Sequence, residues 1–244
     1  MGNSSFTFKQ FVIHQDQCAM KVTTDACLFG AWACQQSTEI NKEPVKILDI
    51  GAGTGLLSLQ LAQQFPNARF TAVELDKSAA QQASMNCAQS RWNNRISIEQ
   101  KDILTFSPST LFDLIISNPP FYENDLKADS VKKNWAFHDQ GIKLGQLLIR
   151  INELLAPGGL FFLLLPPRRE ADLKHWCAYT QLQLTHCCNV QPTPQKSISR
   201  VFYKGCKTNS PSSFTLQSSL IVQGEVSGYS AVAYQLLSPY YLSL

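Results

Sequence analysis

Apolar residues along this chain follow two rhythms. Compact runs of branched and aromatic residues lie at 45–50, 69–75, 96–98, 112–117, 160–165, 182–190 and 199–204. Their length and residue types predict β-strands, and the near-continuous runs FDLIIS and LFFLLL predict strands buried on both faces. Between them the spacing becomes helical. Leu56, Leu57, Leu59, Leu61, Ala62 and Phe65 mark one helix over 56–65. Others are predicted over 78–90, 144–155 and 168–179, the one over 144–155 stopped by Pro157-Gly158-Gly159. Ahead of the first strand, Thr23 or Thr24 is placed to cap a helix over 25–34, whose first turn Asp25 favours. The alternation of strand and helix predicts a doubly wound α/β sheet.

The turn after the first strand narrows the chemistry. Asp49-Ile50-Gly51-Ala52-Gly53-Thr54-Gly55 joins strand to helix, and its glycines permit a tight turn with a ligand close to the backbone. Glu74 ends the second strand about twenty residues later, where such folds hold a ribose hydroxyl pair. The spacing is G-x-G-x-G, neither the dinucleotide fingerprint nor a P-loop. Asp49, two residues before Gly51, would repel a pyrophosphate and suits a ligand carrying an amino group. S-adenosylmethionine has an ammonium, a sulfonium and no phosphate, and it fits. Lys101-Asp102-Ile103 follows the third strand. Asp102 there either accepts from an adenine amino group or caps a turn.

The second informative turn is Asn118-Pro119-Pro120-Phe121, at the carboxyl end of the fourth strand, where ligands sit in open α/β sheets. An exocyclic amine on adenine is a poor nucleophile because its lone pair is delocalised into the ring. If the Asn118 side-chain oxygen and the Pro119 carbonyl accept its two hydrogens, the nitrogen is driven towards tetrahedral geometry. Proline fixes φ, so the turn is already ordered when substrate arrives. Phe121 offers a stacking face. Residues 124–135, with Lys127, Lys132 and Lys133, show no apolar periodicity and are expected to form a substrate-side loop.

DIGAGTG, VELD, QKDI and NPPF resemble the class I S-adenosylmethionine-dependent amino-methyltransferases. The segment DQCAMKVTTDACLFGAW, residues 16–32, adds a resemblance to the bacterial tRNA1(Val) adenine-37 N6-methyltransferase family. The resemblance runs over nearly the whole chain, to the Gly228-Tyr229-Ser230 helix start and the tail Tyr240-Tyr241-Leu242. Phe121 departs from the Tyr frequent in such motifs, keeping the ring and losing the hydroxyl. The resemblance implies that Lys21, Thr24 and Asp25 lie near the methionine end of the cofactor. It further implies methyl transfer to an adenine N6 in tRNA, at position 37.

Length and charge bound this reading. At 244 residues one domain with a sizeable core is enough. No apolar run reaches the ~18–20 residues of a membrane span, and the start MGNSSFTFKQ lacks a secretory pattern. Eight scattered cysteines without a C-x-x-C pair are expected to be reduced, as in a cytoplasmic protein. His175, Cys177, His186, Cys187 and Cys188 gather in sequence, but buried cysteine is common in cores and no metal is expected. Residues 173–213 contain no Asp or Glu yet hold Lys174, Lys196, Arg200, Lys204 and Lys207. Of these, Lys196, Arg200 and Lys204 are the candidate phosphate contacts. The expectation is a monomeric, Rossmann-like α/β enzyme with a seven-stranded mixed sheet flanked by helices. Residues 1–40 would form a lid segment, 45–206 the core and 207–244 an extension. The rival readings are the same chemistry on guanine N2 of ribosomal RNA, adenine in DNA or a protein glutamine, and a non-catalytic, cofactor-binding RNA chaperone.

Overall fold

The structure, a computed structural model, describes residues 4–18, 20–38, 44–120, 143–209, 215–224 and 228–244. Phe121 and the lysine-bearing loop expected over 124–135 lie outside the described residues. The chain opens with a hairpin, β1 (Ser5–Thr7) and β2 (Val12–His14), and helix α1 (Thr24–Thr38). The alternating core follows: β3 (Lys46–Ile50), α2 (Leu56–Gln64), β4 (Arg69–Glu74), α3 (Lys77–Ala88), β5 (Ile96–Gln100) and β6 (Phe112–Ser117). Next come α4 (Leu144–Leu154), β7 (Leu155–Leu165), α5 (Glu170–Ala178), β8 (Leu182–Gln191) and β9 (Arg200–Lys207). Strand β10 (Leu216–Ile221) and helix α6 (Ala231–Leu237) close the chain.

One mixed sheet has the order β10-β8-β9-β7-β6-β3-β4-β5, and β9 runs antiparallel to both its neighbours. The seven expected strands are all present. The sheet has eight, however, because Leu216–Ile221 adds in parallel to β8 at the edge. Ser218 and Ser219 interrupt the apolar pattern of that segment, so its strand character comes from pairing and from burial of Leu220 rather than from periodicity. A second difference lies at Pro157-Gly158-Gly159. Helix α4 passes directly into β7 at Leu155, and the register against β6 jumps from Phe112↔Leu155 to Leu114↔Leu160. The prolyl-glycyl segment is therefore a bulge in the strand rather than a spacer before it.

Period-two alternation explains the two cores. Ile47, Leu114, Ile116, Phe162, Leu164 and Phe202 face the layer of α1, α2 and α6. Leu48, Ile115, Phe161, Leu163, Val201 and Tyr203 face α4 and α5. Both faces are covered, so the functional groups emerge at the strand ends. The carboxyl ends of β3, β4, β5, β6, β7, β8 and β10 share one rim with the amino end of β9, through pairs such as Leu165↔Val201 and Val190↔Arg200.

Candidate active site at the carboxyl rim

The glycine turn is built on backbone that only glycine adopts readily. Gly51, Gly53 and Gly55 have φ of 74°, 55° and 82°. A Cβ added at Gly51 or Gly53 would meet nothing within 4 Å, so the space above the turn is open. The turn is anchored from β4, where Val73 O accepts from Gly51 N–H at 2.8 Å and Ala52 N–H at 3.2 Å. Glu74 then reaches back: Oε2 accepts Gly53 N–H at 2.8 Å and Oε1 accepts Asp76 N–H at 2.9 Å. The Glu74 carboxylate thus sits beside the open turn, partly buried and held in place.

Asp49 lies beneath the turn at 1% exposure. Its Oδ2 accepts from Ser58 N–H at 3.1 Å and Ser58 Oγ at 2.8 Å, which caps the first turn of α2 from a neighbouring strand. Its Oδ1 has no hydrogen-bond partner among the described residues. Burial pushes the carboxyl up to about 6 against the opposing pull of Ser58, and the Glu74 charge adds to the rise. A buried carboxylate oxygen without a donor suits an ammonium group.

Asn118 is brought to this turn by register. Ile50 pairs with Ser117 across the parallel β3–β6 ladder, and Ser117 Oγ donates to Ile50 O at 2.7 Å. Gly51 and Asn118 are the first residues past the two strand ends, so they leave the rim about one strand spacing (~4.8 Å) apart. Asn118 is half-buried, Pro119 buried and Pro120 exposed. Asp102, on the turn after β5, accepts Leu104 N–H through Oδ1 at 2.9 Å, so the turn-capping role is realised. The Ile103 side chain is buried in the α4 layer, leaving backbone as what it offers a ligand.

The front segment meets the site from above, through contacts that the residue pattern did not reveal. Asn86 on α3 is 1% exposed. It accepts from His14 N–H and donates to both His14 O and Thr54 O, each at 2.9 Å. Gln82, one helical turn earlier, accepts from Gln17 N–H at 3.0 Å. Together they bind residues 14–17 and the glycine turn to one helix face. Cys18 follows in this strap. Burial first, then the charges of Glu74, Asp76 and Asp16, push its thiol up to about 11. The available signal was the pair Gln82 and Asn86 on a helix face otherwise made of Ala79, Ala83 and Cys87. Thr23 caps α1, accepting Ala26 N–H at 3.2 Å; Thr24 and Asp25 lie in its first turn, while Lys21 is exposed.

Folding divides the basic stretch expected to meet phosphates. Strand β9 runs under α1, with Phe202 against Phe29 at 5.3 Å and Trp32 at 5.7 Å. Residues 200, 202 and 204 share that face, so Lys204 Nζ donates to Gln36 O at 2.8 Å rather than facing a phosphate. Arg200, at the rim end, pairs with Asp25 at 3.8 Å while staying partly exposed. Burial still raises the Asp25 carboxyl, outweighing Arg200. Lys196 lies in the exposed rim loop between β8 and β9. The three cations therefore do not form one face.

A family model for the methyltransferase small domain matches residues 34–155. A tRNA1(Val) (adenine(37)-N6)-methyltransferase from Pseudoalteromonas translucida is 37% identical over 99% of this chain and 100% of its own length. The protein of the same name from Vibrio cholerae is 35% identical over 99% of this chain and 97% of its own. This chain belongs to the tRNA1(Val) (adenine(37)-N6)-methyltransferase family. Solved structures agree on the fold. A predicted O-methyltransferase from Agrobacterium tumefaciens superposes with a TM-score of 0.64 at 18% identity, over 88% of this chain and 95% of its own. The N-methyltransferase NodS from Bradyrhizobium japonicum, in complex with S-adenosyl-L-homocysteine, gives 0.52 at 19% identity, over 72% and 85%. For a member of the tRNA1(Val) methyltransferase family, the open glycine turn, the held Glu74 and the donorless Asp49 oxygen fit S-adenosylmethionine. Among the described residues no group of three His, Cys, Asp or Glu is arranged for a metal ion, and His186 instead bonds Gln36 and Ser218.

Proposed function

We propose that this chain methylates N6 of adenine 37 in tRNA1(Val), with S-adenosylmethionine as donor. The observation that carries the reading is the β3–β6 register, which sets Asn118 beside Gly51. Gly51, Gly53 and Gly55 give the cofactor close access to backbone, and Glu74 takes its ribose hydroxyls. Asp102, through the oxygen that does not cap its turn, and the backbone of Ile103 face the adenine, and Asp49 serves the methionine end. S-adenosylmethionine supplies an electrophilic methyl group on a sulfonium.

The rest falls to the chain's own residues. Asn118 Oδ1 and the Pro119 carbonyl accept the two hydrogens of the substrate amine, concentrating its lone pair on nitrogen. Because the Pro119-Pro120 backbone is rigid, the acceptors are in place beforehand, and their contribution falls on the transition state. Phe121 stacks on the base. No strong general base is needed: the nitrogen becomes acidic as its bond to the methyl carbon forms and the carbon–sulfur bond breaks, and it then loses one proton to water.

The test is nucleoside mass spectrometry of tRNA1(Val) from a strain lacking this gene. N6-methyladenosine should be absent at position 37 and return with the wild-type gene but not with Asn118→Ala. Intact methylation there, or a methyl group missing instead from ribosomal RNA or a protein glutamine, would replace the substrate assignment.

A further inference from the structure

Beside the amino end of α1 lies a cavity of about 360 Å³ whose walls include Phe6, Thr23, Thr24, Tyr229, Tyr241 and Ser243. It touches neither the glycine turn nor Asn118. It nevertheless opens at the same rim. Thr24 adjoins Asp25, which meets Arg200 at the start of β9. Tyr229 bridges to Gln223 just past the end of β10, where Val222 N–H bonds Gln191 O.

The walls combine flat rings with hydroxyls. Phe6 and Tyr229 flank Tyr241, with ring centroids 5.3 Å and 6.1 Å away. Thr24 and Ser243 supply hydroxyls, the Thr23 Oγ being taken by Ala26 N–H, and the Thr24 and Asp25 N–H groups at the start of α1 have no partner within the helix. The size lies within the range of small-ligand sites. Cations stand on either side: Lys21, one residue before Val22 of the cavity wall, is exposed, and Arg200 is partly exposed beside Asp25. Aromatic faces, hydrogen-bonding edges and flanking cations are what an unstacked nucleobase and its phosphates require.

We propose that this cavity takes one splayed base of the RNA loop, a neighbour of the nucleotide being methylated, so that the enzyme holds two unstacked bases at once. Asn118 follows β6 and Arg200 opens β9, two strands away and two residues further out along the ladders, roughly 12 Å, which brings the cavity within reach of an adjacent nucleotide. The proposal rests on the tRNA reading above.

It is tested with full-length protein and tRNA1(Val) by two variants. Tyr229→Ala removes a stacking ring, and Ser243→Trp fills the cavity from the exposed tail. Each should weaken tRNA binding about 5- to 150-fold, the range of one lost stack. S-adenosylhomocysteine affinity and the melting temperature should hold for Ser243→Trp. One tRNA carrying an abasic site next to the target should bind as weakly to the wild type, and Tyr229→Ala should then add no further loss. Unchanged tRNA affinity for Ser243→Trp, or additive losses with every abasic tRNA, overturns the cavity assignment alone. A wild-type protein that binds no tRNA overturns the tRNA reading and the cavity together.

Discussion

Asp49 carries a structural role and a proposed cofactor-binding role that pull on the same proton. As a buried carboxylate pushed up to about 6 from 3.8, it favours the folded state when protonated. Its contribution to stability is therefore full below pH ~3.8 and is lost as pH rises through about 6, to the extent of about 3 kcal/mol. An ammonium beside Oδ1 needs the ionised form, so cofactor affinity runs the opposite way. Calorimetry with S-adenosylhomocysteine should find binding about tenfold weaker at pH 5 than at pH 7.5. Asp49→Asn should be weaker throughout and flat over that window. A wild-type profile that is flat would remove Asp49 from the methionine end. The residue type and its place two positions before Gly51 were legible in the sequence. Its tie to Ser58 was not, because that hydrogen bond forms only once α2 folds back on β3.

At the scale of elements, the strand–turn–helix unit from β3 to β4 was legible because its logic is local: an apolar run, glycines at positive φ, then a helical stripe. The strap over it was not. Asn86 and His14 stand 72 positions apart, and only the fold brings them together. Asn86→Ala removes three hydrogen bonds and leaves buried partners at His14 and Thr54 unmatched. Denaturant unfolding should show a loss of about 2–4 kcal/mol, and S-adenosylhomocysteine should bind more weakly while turnover at saturating cofactor changes little. Stability within 0.5 kcal/mol of wild type, a difference of the order seen for ordinary surface changes, would show that the clamp is not tight. The eighth strand was illegible for a related reason: its serines follow no period, and its partner β8 supplies the ladder.

For the whole molecule, the acid-free stretch from 173 to 213 suggested a single basic face, and folding divides it. Lys204 is spent on α1, whereas Lys196 and Arg200 remain at the rim. Lys196→Ala and Arg200→Ala should each lower the slope of log affinity for tRNA against log salt by about 1, and Lys204→Ala should leave it nearly unchanged. A drop of about 1 for Lys204→Ala as well would restore the single face. On the proposed function, the rim assembles a methyl-transfer site for adenine 37 around Asn118. Its most direct test is single-turnover transfer of labelled methyl from S-adenosylmethionine to unmodified tRNA1(Val) by the purified protein, followed by nucleoside analysis. Label is expected as N6-methyladenosine at position 37, with a rate about 10²- to 10³-fold lower for Asn118→Ala and S-adenosylhomocysteine affinity for that variant within about twofold of wild type. Label at another nucleotide, or Asn118→Ala turning over at the wild-type rate, would contradict it.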